Sequence, residues 1–281
     1  MHWIVSNNMF NEEGFARLLA AFERMDVKHT LVKTIPFTNH LLPEICTCPC
    51  HYREMLHIEA CCDSSQVPVT SNQIVVMGTY TLCNIARERG WLPGSFHDEV
   101  TFDYELQRKK WPGQMLNDDL RGGKLKKVPE ELFAEPMFVR PVHDTKSFIG
   151  QIMDLEQFRA FRDGVLALRP EDQPTITGDT EVIIASKKEI WSETRVWMVY
   201  GKAVTASQYK FGTLKRYSSE VPPVILEYAE MLAQMWVPAP AFVVDIADTP
   251  EGLKAVEVNN FNAAGFYAAD MQRLVGAIEA M

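Results

Sequence analysis

Three oxygen-bearing side chains near the end of the sequence have the types and spacing to bind a cation. Glu257 and Asn259 lie two residues apart in the extended-looking run 255–259, so a strand would point both toward one face. Asp245 lies on an apolar run before the turn at 249–252, which places it roughly opposite Glu257. Carboxylate and amide oxygens suit a hard cation such as Mg²⁺. A solvated hairpin would carry the same pattern, so the spacing alone leaves both interpretations open.

A second group of residues has the chemistry to hold phosphates. Arg140 ends an apolar run, and Lys146 follows in a short loop that also contains Ser147 and Gly150. Positive side chains and the backbone N–H groups of small residues can bind phosphate oxygens together. The loop lacks the G-x-x-x-x-G-K-[ST] pattern of a P-loop. A surface turn with two exposed bases would explain the same residues.

A third charged group lies in a strongly apolar segment. Glu193 and Arg195 would share one face of a strand, with Val196 and Met198 on the other. An arginine inside a sheet costs free energy unless it pairs with a carboxylate or a phosphate. A structural Glu–Arg pair across strands is the alternative. Lys210 supplies another cation after the next predicted strand.

The elements that must position these groups begin with a β-α-β pattern. The periodicity predicts three strands and two helices: strand 2–5, helix 12–25, strand 27–35, strand 73–77 and a helix ending near Gly90. Asn11 is the expected cap of the first helix. Alternating strands and helices are typical of a parallel sheet, so residues 1–95 are expected to form a small α/β domain.

Residues 96–281 are expected to form a second domain. The predicted elements are a strand in 136–142, a helix in 154–168, strand-like pieces in 181–209, a helix in 222–235, strands in 241–248 and 253–260, and a helix in 266–281. Asp154 is the expected cap of its helix, and residues 200–202 are expected to form a hairpin turn. The basic, Gly-rich segment 121–128 is predicted to be an exposed loop.

Composition limits the class of function. The 281 residues carry a net charge of −9, which makes a broad basic face for nucleic acid unexpected. A modified nucleic-acid base as substrate stays open. No apolar run reaches transmembrane length, so we expect a cytoplasmic protein with no membrane partner. Oligomeric state is open, with a homodimer as one candidate.

A cysteine cluster stands outside this scheme. Five cysteines fall within 46–62, together with His51 and His57, and Cys83 stands alone. Their spacing differs from the C-x-x-C pairing of a usual zinc site. Free thiols in a variable segment are therefore favoured over a structural metal.

The three charged groups, in this order, resemble the ATP-grasp superfamily. The matching segments are "FVRPVHDTKSFIG", "EVIIASKKEIWSETRVWMVYGKAVTASQYK" and "VVDIADTPEGLKAVEVNNFNAAGFYAAD". More narrowly, they resemble the clade named for one arginine and two lysines, which is frequent in phages and bacteria. The resemblance covers about residues 73–281, judged by motif order. It implies an α/β (α+β ATP-grasp) fold in which a small N-terminal α/β domain precedes an ATP-grasp domain, with ATP held between two sheet-containing subdomains.

The resemblance also implies roles for single residues. It matches magnesium ligands to Asp245, Glu257 and Asn259, catalytic and phosphate-binding cations to Arg195, Lys146 and Arg140, and further nucleotide contacts to Gly150, Ile184, Ser186, Lys187, Glu193 and Lys210. Ile184–Lys187 would be the hinge against adenine, because an apolar strand there enters a short linker.

The activity implied by the resemblance is ATP-dependent ligation of a carboxylate to an amine. ATP and Mg²⁺ are the expected cofactors, and a small-molecule or peptide carboxylate and an amine are the expected substrates. A phosphotransferase of the same fold is one alternative. A nucleotide- or metal-binding regulatory protein built around the 46–62 cysteines is another.

Overall fold

The computed structural model describes residues 1–9, 12–34, 41–43, 71–97, 103–142, 148–169 and 175–281. The strands are β1 His2–Ser6, β2 Lys28–Thr34, β3 Leu41–Pro43, β4 Gln73–Met77, β5 Leu92–Gly94, β6 Arg121–Lys124, β7 Met137–Pro141, β8 Gln151–Met153, β9 Glu181–Ser186, β10 Ser192–Val199, β11 Lys202–Phe211, β12 Leu214–Ser218, β13 Ala241–Thr249 and β14 Gly252–Asn259. The helices are α1 Phe15–Arg24, α2 Tyr80–Glu88, α3 Tyr104–Lys110, α4 Leu155–Leu166, α5 Pro223–Met235 and α6 Met271–Glu279.

The first sheet has the order β3-β2-β1-β4-β5. β1 pairs in parallel with β2 and β4, and β4 pairs in parallel with β5, as the β-α-β pattern predicted. The predicted first helix starts later than expected, at Phe15, because Gly14 adopts a left-handed conformation with φ of 98°. The proposed cap Asn11 lies outside the described residues.

The second sheet is antiparallel, with the order β6-β9-β7-β8. α4 begins as predicted at Asp154, whose side chain accepts the Gln157 N–H while the Gln157 side chain accepts the Asp154 N–H. The prediction of an exposed loop at 121–128 is wrong for its first half. Arg121–Lys124 forms β6, an edge strand that pairs with β9 and stays exposed. Two glycines and no apolar alternation hide this strand from sequence analysis.

The third sheet is an antiparallel meander with the order β12-β11-β10-β13-β14. The predicted hairpin between β10 and β11 turns at Tyr200 and Gly201, both with positive φ, as a two-residue hairpin turn requires. α5 and α6 pack against this sheet. α6 starts at Met271 rather than Phe266, because the Asp270 carboxylate accepts the N–H groups of Gln272 and Arg273 and so fixes the helix start.

Asn262 joins the third sheet to the first. It follows β14 by three residues and is fully buried. Its amide nitrogen donates to the Val76 carbonyl at 2.6 Å, its amide oxygen accepts the Phe96 N–H at 2.8 Å, and its own carbonyl accepts the Gly78 N–H at 2.6 Å. One apolar core also runs through both sheets and includes Trp3 and Trp197. The end of β14 is therefore fixed relative to β4 and β5.

Two further sequence expectations concern the chain as a whole. No helix in the described ranges is long and apolar enough to cross a membrane. The boundary expected between residues 95 and 96 stays a prediction.

Replacement of Asn262 by alanine should lower the free energy of unfolding by about 2–3 kcal/mol, because buried groups on β4 and β5 lose their partners. Gln272→Ala, on the exposed side of α6, is the control and should change stability by less than about 0.5 kcal/mol. Chemical denaturation measures both. Equal stability of the two variants would contradict this role for Asn262.

Candidate active site

A buried ion pair lies at the centre of the third sheet. Arg195 on β10 and Asp245 on β13 are direct partners in the strand register. The arginine donates from Nε to Oδ1 at 2.9 Å and from Nη2 to Oδ2 at 2.8 Å. The two side chains are only 11% and 4% exposed. The sequence left the partner of Arg195 open, and among the described residues that partner is Asp245 rather than Glu193.

Burial and pairing act against each other in this pair. Burial raises the pKa of Asp245, while the charge and hydrogen bonds of Arg195 oppose that rise. For Arg195, burial favours the neutral form, but Asp245 outweighs it, so the pKa of the guanidinium is raised. Arg195 therefore keeps its positive charge in a site where an isolated charge would be costly.

The other two oxygen-bearing side chains join this pair. Glu257 is the direct partner of Asp245 across β13 and β14, as the turn position predicted. Asn259 donates from Nδ2 to Asp245 Oδ2 at 2.9 Å and to Glu257 Oε1 at 3.3 Å. Asn260 faces elsewhere, as expected: its side chain accepts the Asn262 N–H. The sequence-predicted trio thus forms one cluster.

This cluster has the donor chemistry for Mg²⁺. It offers two carboxylates and one amide, all with oxygen ligands, and magnesium usually takes one or two carboxylates and completes its shell with water and phosphate oxygens. Across the described parts of the chain, no three His, Cys, Asp or Glu side chains come together as a metal site. A magnesium site here therefore depends on the amide oxygen of Asn259, which becomes a ligand when the amide group turns over.

Arg140 connects the second sheet to this cluster. It lies on β7, and its Nη1 donates to Glu257 Oε2 at 3.1 Å. Its guanidinium also lies 5.5 Å from the centre of the Tyr104 ring. Burial raises the pKa of Tyr104 to about 12, so this ring stays neutral beside the two charges. Tyr104 was not predicted, because it lies in a segment without clear periodicity.

Glu193 has a different partner from the one considered in the sequence. It is buried and accepts a hydrogen bond from the Tyr209 hydroxyl at 2.6 Å. The ammonium group of Lys210 also pairs with it. Burial, followed by the charges of Asp245 and Glu193, raises the pKa of Tyr209. Glu193 therefore holds Lys210 and Tyr209 on the same side of the sheet as Arg195.

Three stacked tyrosines surround the arginine. The Tyr209 and Tyr267 rings stack with centres 5.1 Å apart, and Tyr217 stacks on Tyr267 at 5.0 Å. The Arg195 guanidinium lies 5.7 Å from the Tyr209 ring centre and 5.0 Å from that of Tyr267. Sequence analysis missed this stack, since Tyr267 lies in an irregular segment with a positive φ of 48°.

The predicted hinge adopts the expected strand but has an unpredicted partner. Ile184 is buried, whereas Lys187 is exposed. The N–H and hydroxyl of Ser186 donate to Asp119 Oδ2 at 3.1 and 2.5 Å, and Lys188 pairs with the same carboxylate at 2.9 Å. Asp119 thus fixes the end of β9.

The remaining predicted positions divide into described and undescribed residues. Gly150 lies close to the Phe138 ring, because a Cβ at this position would come within 2.7 Å of it. Lys146 lies outside the described residues, as does the cysteine cluster at 46–62. Cys83 is buried near Asn260, and burial raises the pKa of its thiol.

This arrangement of sheets and charged residues defines an ATP-grasp fold. It is shared with the ligase PsnB complexed with a minimal precursor (TM-score 0.56, 9% identity, 99% of this chain and 98% of that chain). It is also shared with D-alanine–D-alanine ligase from Bacillus anthracis (0.56, 14%, 99% and 95%) and a RimK domain protein from Sphaerobacter thermophilus DSM 20745 (0.60, 11%, 97% and 98%).

The family of this chain follows from its sequence. The ATP-grasp domain of the clade named for one arginine and two lysines, family 3, matches residues 77–278, and the protein belongs to that family. A search of curated proteins found no match. The resemblance read from the three charged segments is therefore confirmed at the level of superfamily, clade and fold.

Removing either partner of the buried pair should destabilise the fold. Arg195→Met or Asp245→Leu each leaves one buried charge without its partner, at a cost of about 3–5 kcal/mol. The double variant should be more stable than either single variant, because no buried charge remains. Denaturant titration of all four proteins measures this coupling. Single losses that simply add in the double variant would contradict a direct ion pair.

Proposed function

We propose that the protein is an ATP-dependent carboxylate–amine ligase that uses Mg²⁺. The observation that carries this proposal is the cluster of Asp245, Glu257 and Asn259 beside Arg195, with Arg140 reaching it from another sheet. The cluster combines hard oxygen ligands with positive charge. Membership in an ATP-grasp family adds to this support.

Related folds have been solved with the expected ligands. PsnB was solved with a precursor peptide and AMPPNP, and with a minimal precursor, Mg and ADP. The Bacillus anthracis D-alanine–D-alanine ligase was solved with ATP. At 9–13% identity these structures share only the fold with this chain. They support ATP and Mg²⁺ as its cofactors within the proposal.

The proposed ligand contacts come from two sheets. Asp245, Glu257 and Asn259 would hold the metal, which when bound would offset phosphate charge. The nucleotide would also contact the hinge residues Ile184, Ser186 and Lys187 and the phosphate-side residues Gly150, Glu193, Lys210 and Lys146. The backbone N–H of Ser186 already donates to Asp119, so the adenine contact falls to other backbone groups of the hinge.

The proposed reaction proceeds in two steps. A substrate carboxylate oxygen attacks the γ-phosphorus of ATP, and ADP leaves. An amine then attacks the acyl carbon, the phosphate leaves with the carboxylate oxygen, and the amine loses a proton to give an amide. Arg195 and Arg140 stabilise the negative charge on the transferring phosphoryl group. Positioning and electrostatics carry this chemistry, so it needs no nucleophilic cysteine.

Arg195 is suited to this role because its pairing is incomplete. Nε and Nη2 bind Asp245, whereas Nη1 makes only a 3.4 Å contact with the Gly265 carbonyl. Two rings hold the guanidinium plane from other directions. A fixed guanidinium with donors left for an anion meets the need for preorganised charge.

A substrate screen tests the reaction. Purified protein with ATP and Mg²⁺ is offered pools of amino acids, peptides and polyamines, and ADP, phosphate and new amide masses are measured. The proposal predicts ADP and phosphate release only when a carboxylate and an amine are both present. ADP without free phosphate would instead identify a phosphotransferase. Bound zinc without ATP turnover would identify a regulatory protein built on the cysteine cluster.

Glu257→Gln should reduce Mg²⁺-dependent ADP formation at least about 100-fold, because the metal loses a charged ligand. The fold should persist, since Glu257 is partly exposed and makes one ion pair, with Arg140. Glu230→Gln is the matched control, because Glu230 pairs with Lys202 on the surface. Both rates are measured across a Mg²⁺ titration. Full activity of Glu257→Gln would remove the metal assignment.

Some expectations depend on this proposal and go no further. The division into an N-terminal domain of residues 1–95 and an ATP-grasp domain of 96–281 would place the nucleotide wholly in the second part. A cytoplasmic location and a homodimer remain predictions.

A further inference from the structure

The outer strand of the third sheet has an unpaired edge. β12 is the first strand in the order β12-β11-β10-β13-β14, and no described strand pairs with its other side. An edge strand presents a row of backbone N–H and C=O groups that can accept an added strand. Its neighbour β11 pairs with it in an antiparallel arrangement.

The side chains of this edge are basic and exposed. Lys215 lies directly opposite Lys210 in the register of β11 and β12, and like charges in that position repel each other. Lys210 is neutralised by Glu193. No ion pair joins Lys215 or the exposed Arg216 to any residue that the structure describes. An anionic ligand would relieve this repulsion, on a protein whose net charge is otherwise −9.

The same edge leads to the candidate active site. Tyr217 shares a strand face with Lys215, because residues two apart point the same way. Its ring stacks on Tyr267, whose ring centre lies 5.0 Å from the guanidinium of Arg195. A chain bound along β12 would therefore run one aromatic ring away from the arginine that is proposed to act on phosphate.

We propose that β12 binds an extended acidic peptide as an added strand of the third sheet. Backbone hydrogen bonds would supply affinity, and Lys215 and Arg216 would select acidic side chains. A peptide carboxylate would then lie near Arg195 as the group to be activated, and this last point rests on the proposed ligase function. A nucleic acid fits less well, because it makes no use of a strand edge and meets the protein's net negative charge.

Binding of labelled peptides without ATP tests the docking site. By fluorescence anisotropy, a short peptide rich in Asp and Glu should bind, and a peptide with Lys and Arg at those positions should not. The charge reversal Lys215→Glu/Arg216→Glu should weaken binding at least about tenfold. Lys109→Glu/Lys110→Glu, at exposed positions of α3, changes the net charge equally and should leave binding unchanged. Equal weakening by both double variants would overturn the site, as would tighter binding of a single-stranded oligonucleotide.

Backbone pairing is tested separately from charge. Two acidic peptides are N-methylated at alternate residues in opposite phases, so each blocks one edge of the peptide strand. Only one of the two should lose binding, and the unmodified peptide should slow hydrogen exchange of β12 amides. Unchanged binding of both would overturn strand addition. The two proposals can also fail apart: peptide binding without any turnover would contradict the ligase, and turnover of free amino acids without peptide binding would contradict the docking site.

Discussion

The buried ion pair between Arg195 and Asp245 is the interaction on which the site depends. Two charges inside a sheet are tolerated only when their geometry satisfies both, and here two hydrogen bonds join directly opposed residues on β10 and β13. Asn259 donates to the same carboxylate, and two tyrosine rings flank the guanidinium. The pair thus fixes both a proposed metal ligand and a proposed phosphate-binding group at the centre of the sheet.

A second constraint is the charge shared between two sheets. Glu257 is partnered by Arg140 from the second sheet and faces the proposed metal position in the third. A cation and Arg140 would therefore compete for one carboxylate, and a bound metal would release the guanidinium toward phosphate. The end of β14 stays fixed during such an exchange, because Asn262 ties it to β4 and β5. The fold thereby separates a rigid metal strand from an arginine that can change partners.

Sequence analysis identified most of the elements and the residues with the strongest local signals. Asp245 and Glu257 were placed opposite each other from the turn at 249–252, because hairpin register follows from turn position. The partner of Arg195 stayed undecided, since the order of β10 and β13 in the sheet is a long-range property. Tyr104, Asp119 and Asn262 were missed for the same reason: their roles arise from contacts between segments far apart in the chain.

The most direct test of the account follows an oxygen atom. Amino acids and peptides with ¹⁸O-labelled carboxylates are incubated with the protein, ATP, Mg²⁺ and an amine, and the released phosphate is analysed by mass spectrometry. Activation of a carboxylate by phosphoryl transfer predicts that released phosphate carries one ¹⁸O atom, because the bridging oxygen leaves with phosphorus when the amide forms. Phosphate released without label would show that water, not a carboxylate, receives the phosphoryl group, and would contradict the proposed ligase.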